Sequence, residues 1–111
     1  MSELKQITSE SEWKALMQDS NEKPVLLFKH STTCPVSANA YKEYQEFATD
    51  LDKYYLIVSE SRPVSNQVAE DLDIKHESPQ IFLLNDGKAV WNTSHWNITG
   101  DNIKQALEES I

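Results

Sequence analysis

The single cysteine of the chain, Cys34, lies in the sequence STTCPVS at residues 31–37. A cysteine thiolate attacks disulfide sulfurs, so this position is a candidate centre for thiol–disulfide chemistry. Ser37 stands where a second cysteine would complete a Cys-x-x-Cys pair. The sequence therefore predicts one reactive thiol, with no second cysteine in the same chain to resolve its disulfides.

The segments on either side of this cysteine predict that it begins a helix. PVLLFKH, at 24–30, is a continuous apolar run typical of a strand buried on both faces. From Val36 to Leu51, apolar residues recur every three or four positions, which predicts an amphipathic helix of about four turns. We take Thr33 as its cap and Pro35 as a first-turn residue. The free N–H groups and the dipole of a helix N-terminus lower the pKa of a thiol placed there, so we expect a nucleophile rather than a buried apolar side chain.

The rest of the chain continues an alternation of strands and helices. Ser9 and Glu12 have the spacing of a capping box and predict a helix at 9–19. Asp86-Gly87, between QIFLLN and KAVWN, predicts a two-residue type I′ hairpin. Thr99 is the predicted N-cap of a last helix. The other predicted elements are a strand at 4–7, a strand at 54–60 and a helix at 64–72.

The resulting order, β-α-β-α-β-α-β-β-α, predicts a single α/β domain over residues 1–111. A βαβ unit followed by a hairpin and a helix implies a mixed central sheet with helices on both faces. The strand at 24–30 runs directly into the loop that carries Cys34. We therefore expect the cysteine at one end of the central sheet.

A second motif, HESPQ at 76–80, precedes the strand IFLLN. Pro79 is either an ordinary residue at the start of a strand or a cis-proline that holds a backbone turn beside the cysteine. Local sequence favours neither interpretation.

Composition limits the classes of function. The chain has 111 residues, 39% of them hydrophobic, with a formal net charge of -8. An acidic surface repels phosphate backbones, so we expect no nucleic-acid partner. No apolar run is long enough for a signal peptide or a membrane span, and a lone cysteine suits a reducing compartment. The three histidines and one cysteine lack the spacing of a zinc site. We expect a cytoplasmic monomer that binds no metal and no membrane.

The order of elements and the two motifs together resemble the thioredoxin superfamily over nearly the whole chain. The details resemble more closely the monothiol bacilliredoxins of the YtxJ type. These carry Thr-Cys-Pro-x-Ser, here residues 33–37, a segment like HESPQ, and a stretch like SHWNIT at 94–99. A thioredoxin-like fold is what this resemblance implies.

The resemblance also implies an activity. Bacilliredoxins act in bacteria whose small cytosolic thiol is bacillithiol, which becomes attached to protein cysteines as mixed disulfides during oxidative stress. The cysteine corresponding to Cys34 attacks the bacillithiol sulfur, frees the client protein and is left as a mixed disulfide that another thiol reduces. Bacillithiol is then a thiol co-substrate, no cofactor is needed, and the partners are bacillithiolated client proteins.

The site residues follow from the same resemblance, with Cys34 as the catalytic residue. It favours the cis interpretation of Pro79, with the backbone before it pairing with a bound thiol or an extended client peptide. It also places the loop after KAVWN at the border of the same groove. The implied substrate-binding residues are Thr33, Pro35, Ser37, Ser78, Pro79, His95 and Trp96.

Several roles remain open in the sequence. Ser37 either donates a hydrogen bond to the Cys34 sulfur or supports the first helical turn. His30 either favours the thiolate as an imidazolium or is a loop histidine without that role. His76 either binds the carboxylates of the malate group of bacillithiol or bonds its own loop. Arg62 either binds an anionic ligand or is solvated.

The sequence departs from two related families at positions that bear on the predicted activity. Thioredoxins have a buried acid six residues before the nucleophile, where this chain has Phe28. Pro35 and Val36 break the Cys-Gly-Phe-Ser pattern of glutaredoxins that hold iron–sulfur clusters. We therefore expect neither general dithiol reductase activity nor a cluster. The alternatives are a bacillithiol-capped sensor that does not turn over, a thioredoxin-like binding protein, and a relay whose cysteine is resolved by a dithiol partner.

Overall fold

A five-stranded mixed sheet forms the centre of the protein, whose computed structural model describes residues 4–110. The strands lie in the order β1-β3-β2-β4-β5. The first three are parallel to one another, whereas β4 runs antiparallel to β2 and β5 antiparallel to β4. The strands are β1 (Leu4–Gln6), β2 (Val25–His30), β3 (Asp52–Ile57), β4 (Gln80–Asn85) and β5 (Lys88–Ser94).

Among the described residues, four helices cover the two faces of this sheet. Helices α1 and α3 pack on one face, and α2 and α4 pack on the other. A single 3₁₀ turn at His95–Asn97 follows β5. No helix within residues 4–110 has the length and apolar character needed to cross a membrane. The helices are α1 (Glu10–Asp19), α2 (Pro35–Glu46), α3 (Arg62–Leu72) and α4 (Gly100–Ser110). The predicted α/β class and order of elements are confirmed.

Strand β2 is the innermost element, as its continuous apolar run predicts. Its first four residues are fully buried. Successive side chains of a strand point to opposite faces. Leu27 accordingly packs among residues of α1 and α3, whereas Phe28 packs with α2 and α4. The last residue of the strand, His30, leads into the loop that carries Cys34.

The local signals read from the sequence form the turns and caps that they predict. Ser9 Oγ accepts the Glu12 N–H at 3.2 Å and caps α1. Asp86 and Gly87 take φ values of 58° and 76°, as a type I′ turn requires. Thr99 Oγ1 accepts the Asn102 N–H at 3.1 Å at the start of α4. These contacts fix the ends of the elements that surround the site.

Helix α2 is shorter than the apolar spacing predicts. It ends at Glu46, and Phe47 takes an extended conformation with φ -68° and ψ 118°. The buried Lys53 ammonium donates to three carbonyls at this end, those of Tyr44, Gln45 and Phe47, at 2.8–3.2 Å. Phe47 and Leu51 still pack against the α2 face of the core, which is why the apolar spacing continues past the helix.

Two other boundaries differ from the sequence-based prediction. The second buried strand begins at Asp52 rather than 54 and ends at Ile57, and residues 58–60 form a turn. Helix α3 begins two residues earlier than predicted, with Arg62 in its first turn and Pro63 beside it. Proline is compatible with this position because the first-turn N–H has no helical acceptor.

We expect Lys53→Met to lower the free energy of unfolding by about 1–3 kcal/mol, because three carbonyls lose a charged donor and the negative end of α2 loses its cation. Urea denaturation measures the change. Lys23→Met is the matched control, since Lys23 is exposed and pairs with Asp52 only at the surface, at 3.4 Å. A control effect above about 0.5 kcal/mol, or no effect at Lys53, would contradict the capping role.

Candidate active site

Cys34 is the N-cap residue of α2, with φ -103° and ψ 121°. Its carbonyl accepts the first helical hydrogen bond, from the Ala38 N–H at 3.0 Å, and Pro35 is the first helical residue. The predicted placement of the thiol at a helix start is therefore confirmed. The prediction of Thr33 as the cap is wrong by one residue, because the chain turns into the helix only after Cys34. The side chain of Cys34 is half-exposed.

A fully buried serine closes the loop between β2 and α2. Ser37 Oγ accepts the Ser31 N–H at 2.8 Å and lies 2.8 Å from His30 Nδ1. A further turn bond joins the Cys34 N–H to the Ser31 carbonyl at 3.3 Å. The Ser37 hydroxyl thus ties the start of the loop to the first turn of α2. The structure corrects the expectation of direct substrate contact, because this side chain is 0% exposed and acts through the loop.

His30 belongs to this buried arrangement. Its ring stacks on Tyr41 with centroids 4.3 Å apart and planes 15° apart. Burial lowers the pKa of His30, so the ring is neutral at pH 7. Ser37 Oγ accepts from Ser31 and keeps both a proton and a second lone pair, so it pairs with either neutral tautomer of the His30 ring. Among the hydrogen bonds of residues 4–110, none joins the His30 ring to the Cys34 sulfur. These contacts favour the loop interpretation of this histidine.

The second half of the site is the segment before β4. The Ser78–Pro79 peptide bond is cis, as the family resemblance predicts. Gln80 pairs with Lys29 of β2 on one side and with Ser94 of β5 on the other. The cis-proline therefore lies at the same end of the sheet as the loop that carries the cysteine.

The loop after β5 meets the cis-proline directly. The His95 N–H donates to the Pro79 carbonyl at 3.1 Å, and His95 takes a positive φ of 56°. The His95 side chain is exposed, and 67% of Trp96 is exposed. Ser78 is half-buried, and its hydroxyl oxygen is buried without a hydrogen-bond partner among the described residues. The backbone thus brings Ser78, His95 and Trp96 together where the loop after β5 meets the cis-proline.

His76 makes its contacts within the protein. Its Nδ1 lies 3.1 Å from Lys29 Nζ and 3.4 Å from Ser65 Oγ. Burial first, and then the charges of Lys29 and Arg62, hold the pKa of His76 below its ordinary value, while Glu77 acts in the opposite sense. The bond to Lys29 supports the loop interpretation of this histidine. Arg62 is exposed at the start of α3.

Sequence reasoning missed Lys29. It is 0% exposed in β2, although lysine is almost always at the surface. The available signal was its place inside PVLLFKH, a run already predicted to be buried on both faces. No group of three or more histidine, cysteine or acidic side chains suited to a metal ion occurs within residues 4–110.

We expect Ser37→Ala to lower the free energy of unfolding by about 1–2 kcal/mol, because the Ser31 N–H and His30 Nδ1 both lose their partner. Hydrogen exchange of the Ser31 amide should also accelerate. Asn39→Ala, at an exposed position of the same helix, is the control and should change stability by less than about 0.5 kcal/mol. Unchanged Ser31 exchange in a folded Ser37→Ala protein would exclude the loop-closing bond.

Stability should fall as the pH decreases below about 6.5, the pKa of an unperturbed histidine. The pKa of His30 is lowered in the folded protein, so the unfolded chain binds more protons in this interval. Urea denaturation between pH 7.5 and 5.5 gives the slope, which His30→Asn should make shallower. His95→Asn is the control, since that side chain is exposed and asparagine tolerates a positive φ. Equal slopes in wild type and His30→Asn would refute the assignment.

Comparison with known proteins agrees with this geometry. The sequence matches the family described as "Monothiol bacilliredoxin BrxC" over residues 5–103. A solved structure described as a candidate oxidoreductase with a thioredoxin fold is 38% identical, with a TM-score of 0.87 over 94% of this chain and 93% of that one.

Two thioredoxins share the fold at lower identity. That of Malassezia sympodialis is 15% identical, with a TM-score of 0.77 over 99% of this chain and 92% of that one. That of Fasciola hepatica is 10% identical, with a TM-score of 0.77 over 96% of this chain and 99% of that one. With a half-exposed thiol at the start of α2, a cis-proline at the same end of the sheet and a family match over most of its length, the chain belongs to the monothiol bacilliredoxin family.

Proposed function

We propose that this protein is a thiol–disulfide oxidoreductase that removes bacillithiol from mixed disulfides with client proteins, with Cys34 as the nucleophile. The observation that carries the proposal is that Cys34 is accessible while the position of a resolving cysteine is occupied by Ser37. The thiol is half-exposed at the N-terminus of α2, where first-turn N–H groups and the helix dipole favour negative charge. The position of a resolving thiol holds a hydroxyl that is buried and already hydrogen-bonded.

The first step exchanges one disulfide for another. The Cys34 thiolate attacks the bacillithiol sulfur of the mixed disulfide, and the bond between that sulfur and the client sulfur breaks. The electron pair leaves with the client cysteine, which departs as a thiolate and takes a proton from solvent. Cys34 is left in a mixed disulfide with bacillithiol, so no net oxidation or reduction has occurred.

The second step needs a thiol from outside the chain. Ser37 has no sulfur, and the protein has no other cysteine. An external thiolate therefore attacks the bacillithiol sulfur of the Cys34 mixed disulfide. A new disulfide forms between the external thiol and bacillithiol, and the electron pair leaves with Cys34, which is regenerated as a thiolate. Bacillithiol acts as a co-substrate and the reaction needs no cofactor. A reducing compartment such as the cytoplasm provides the thiols that this cycle consumes.

The surroundings of Cys34 support binding of an extended substrate. A bound thiol or peptide would lie beside Ser78, whose backbone precedes the cis-proline. Main-chain hydrogen bonds of this kind supply affinity without requiring a particular amino-acid sequence in the client. Thr33 and Pro35 form the exposed border on the α2 side. His95 and Trp96 form the opposite border, where the exposed indole offers an apolar contact to a client.

Intact-mass spectrometry tests the proposal directly. Reduced protein is mixed with a client protein that carries one bacillithiol, and the position of the adduct is followed over time. We expect the adduct to move to Cys34 while an equal amount of client thiol is released. Cys34→Ser should abolish both events, because a hydroxyl does not attack the disulfide at neutral pH.

Asn39→Ala serves as the control variant, since it changes an exposed residue of α2 without altering the thiol. Retention of the adduct on the client in the presence of wild-type protein would contradict the proposal. If oxidised bacillithiol still capped Cys34 in that case, the protein would be a sensor rather than an enzyme.

A further inference from the structure

Lys29 is a buried cation that the proposed reaction does not use. It is 0% exposed, and its ammonium lies 5.8 Å from the centre of the Phe82 ring. No carboxylate forms an ion pair with it among residues 4–110. Burial lowers the pKa of Lys29 to about 8. An apolar side chain of similar length would avoid this desolvation, so packing alone gives no reason for a lysine here.

The Lys29 ammonium joins three parts of the chain. It projects from β2 and donates to the Ser65 carbonyl of α3 at 3.0 Å and to His76 Nδ1 at 3.1 Å. The buried Ser65 hydroxyl lies 3.4 Å from the same ring nitrogen. His76 precedes Ser78 by two residues. The lysine therefore reaches the segment that presents the cis-proline.

Gln80 holds the same segment from β4. It is 1% exposed and lies directly opposite Lys29 in the β2–β4 ladder. Its amide nitrogen donates to the Lys75 carbonyl at 3.2 Å, and its amide oxygen accepts the Glu77 N–H at 3.1 Å. Both neighbours of His76 are thus bonded to one side chain.

Side chains alone carry the polar contacts of this segment. Within the described residues, no backbone–backbone hydrogen bond starts or ends between 75 and 78. The next such bond is the one from the His95 N–H to the Pro79 carbonyl. The position of Ser78 therefore depends on the contacts of His76 and Gln80.

We propose that Lys29 is a positioning residue for substrate binding, acting through His76 to hold the 75–79 segment so that the Ser78 backbone is presented at the end of the sheet that carries Cys34. The inference rests on the proposed function for its substrate. It does not place Lys29 in contact with the reacting sulfur atoms.

The hydrogen bond also defines a proton state. Because the ammonium donates, His76 Nδ1 must be unprotonated, and the neutral ring carries its hydrogen on Nε2. The charged groups that act on His76 are Lys29, Arg62 and Glu77. Protonation of His76 would remove the acceptor and place an imidazolium beside a buried ammonium. Acidification should then release the 75–79 segment.

Kinetics of bacillithiol transfer from a bacillithiolated peptide test this role. Lys29→Met and His76→Leu should each raise KM by about tenfold and leave kcat within about twofold, since ground-state and transition-state binding are lost equally. His76→Asn should restore a low KM, because Oδ1 of asparagine takes the place of Nδ1 as acceptor. It should also remove the rise in KM that we expect for the wild type between pH 7 and 5.5, where protonation of His76 would remove the acceptor.

The double variant Lys29→Met/His76→Leu separates positioning from stability. Replacing both partners by apolar groups leaves no buried polar atom of the pair unpaired, although Ser65 loses its contacts with them, so we expect stability to recover in part relative to either single variant. Its KM should remain high, because the hydrogen bond that places Ser78 is still absent. A KM that returned to the wild-type value along with stability would overturn the proposal.

A measurement without substrate distinguishes this inference from the proposed function. Amide hydrogen exchange of Glu77, whose N–H donates to Gln80 Oε1, should accelerate in Lys29→Met and in His76→Leu and stay near the wild-type rate in His76→Asn, which keeps both a donor and an acceptor. Unchanged exchange in folded Lys29→Met would overturn the positioning role even if wild-type protein transfers bacillithiol. Faster exchange together with no transfer by wild-type protein would instead leave the positioning of the segment intact and contradict the proposed function.

Discussion

The site depends on two adjacent residues at the end of the central strand. Lys29 and His30 point to opposite faces of the sheet, because successive side chains of a strand alternate. On one face, His30 bonds Ser37 and holds the cysteine loop against α2. On the other, Lys29 bonds His76 and holds the segment before the cis-proline. One rigid strand thus sets the separation between the nucleophile and the proposed substrate-binding backbone.

A shared fold carries different residues at its site. The thioredoxins that match this structure do so at 15% and 10% identity, which shows the fold alone. Fold does not determine function, which resides in the residues placed on it. Here the position six residues before the cysteine is Phe28, a core residue that stacks on Tyr44 with ring centroids 5.1 Å apart. The buried charged residue of this strand is Lys29, a cation one position after Phe28.

The fold and the location of the thiol could be predicted from local sequence, because they depend on neighbouring residues. Asp86-Gly87 determines its turn by its own backbone preferences, and Ser9 caps α1 by accepting the N–H three residues further along. The polar contacts of the site could not be predicted in this way. Lys29 and His76 are 47 residues apart, so only the tertiary fold reveals their bond. The end of α2 was missed for the same reason, since Lys53 caps it from another strand.

The buried hydroxyl of Ser37 opposes conversion of this one-thiol site into a two-thiol site. A cysteine at position 37 would introduce a resolving sulfur, yet it would also place a larger atom in a fully enclosed space. A thiol is a weak donor and a weak acceptor, so it would bond the Ser31 N–H and His30 poorly. A cysteine at position 37 would therefore supply an internal reductant but would weaken the hydrogen bonds that order the cysteine loop. A dithiol descendant of this protein would need compensating changes near His30 before the new sulfur could be accommodated.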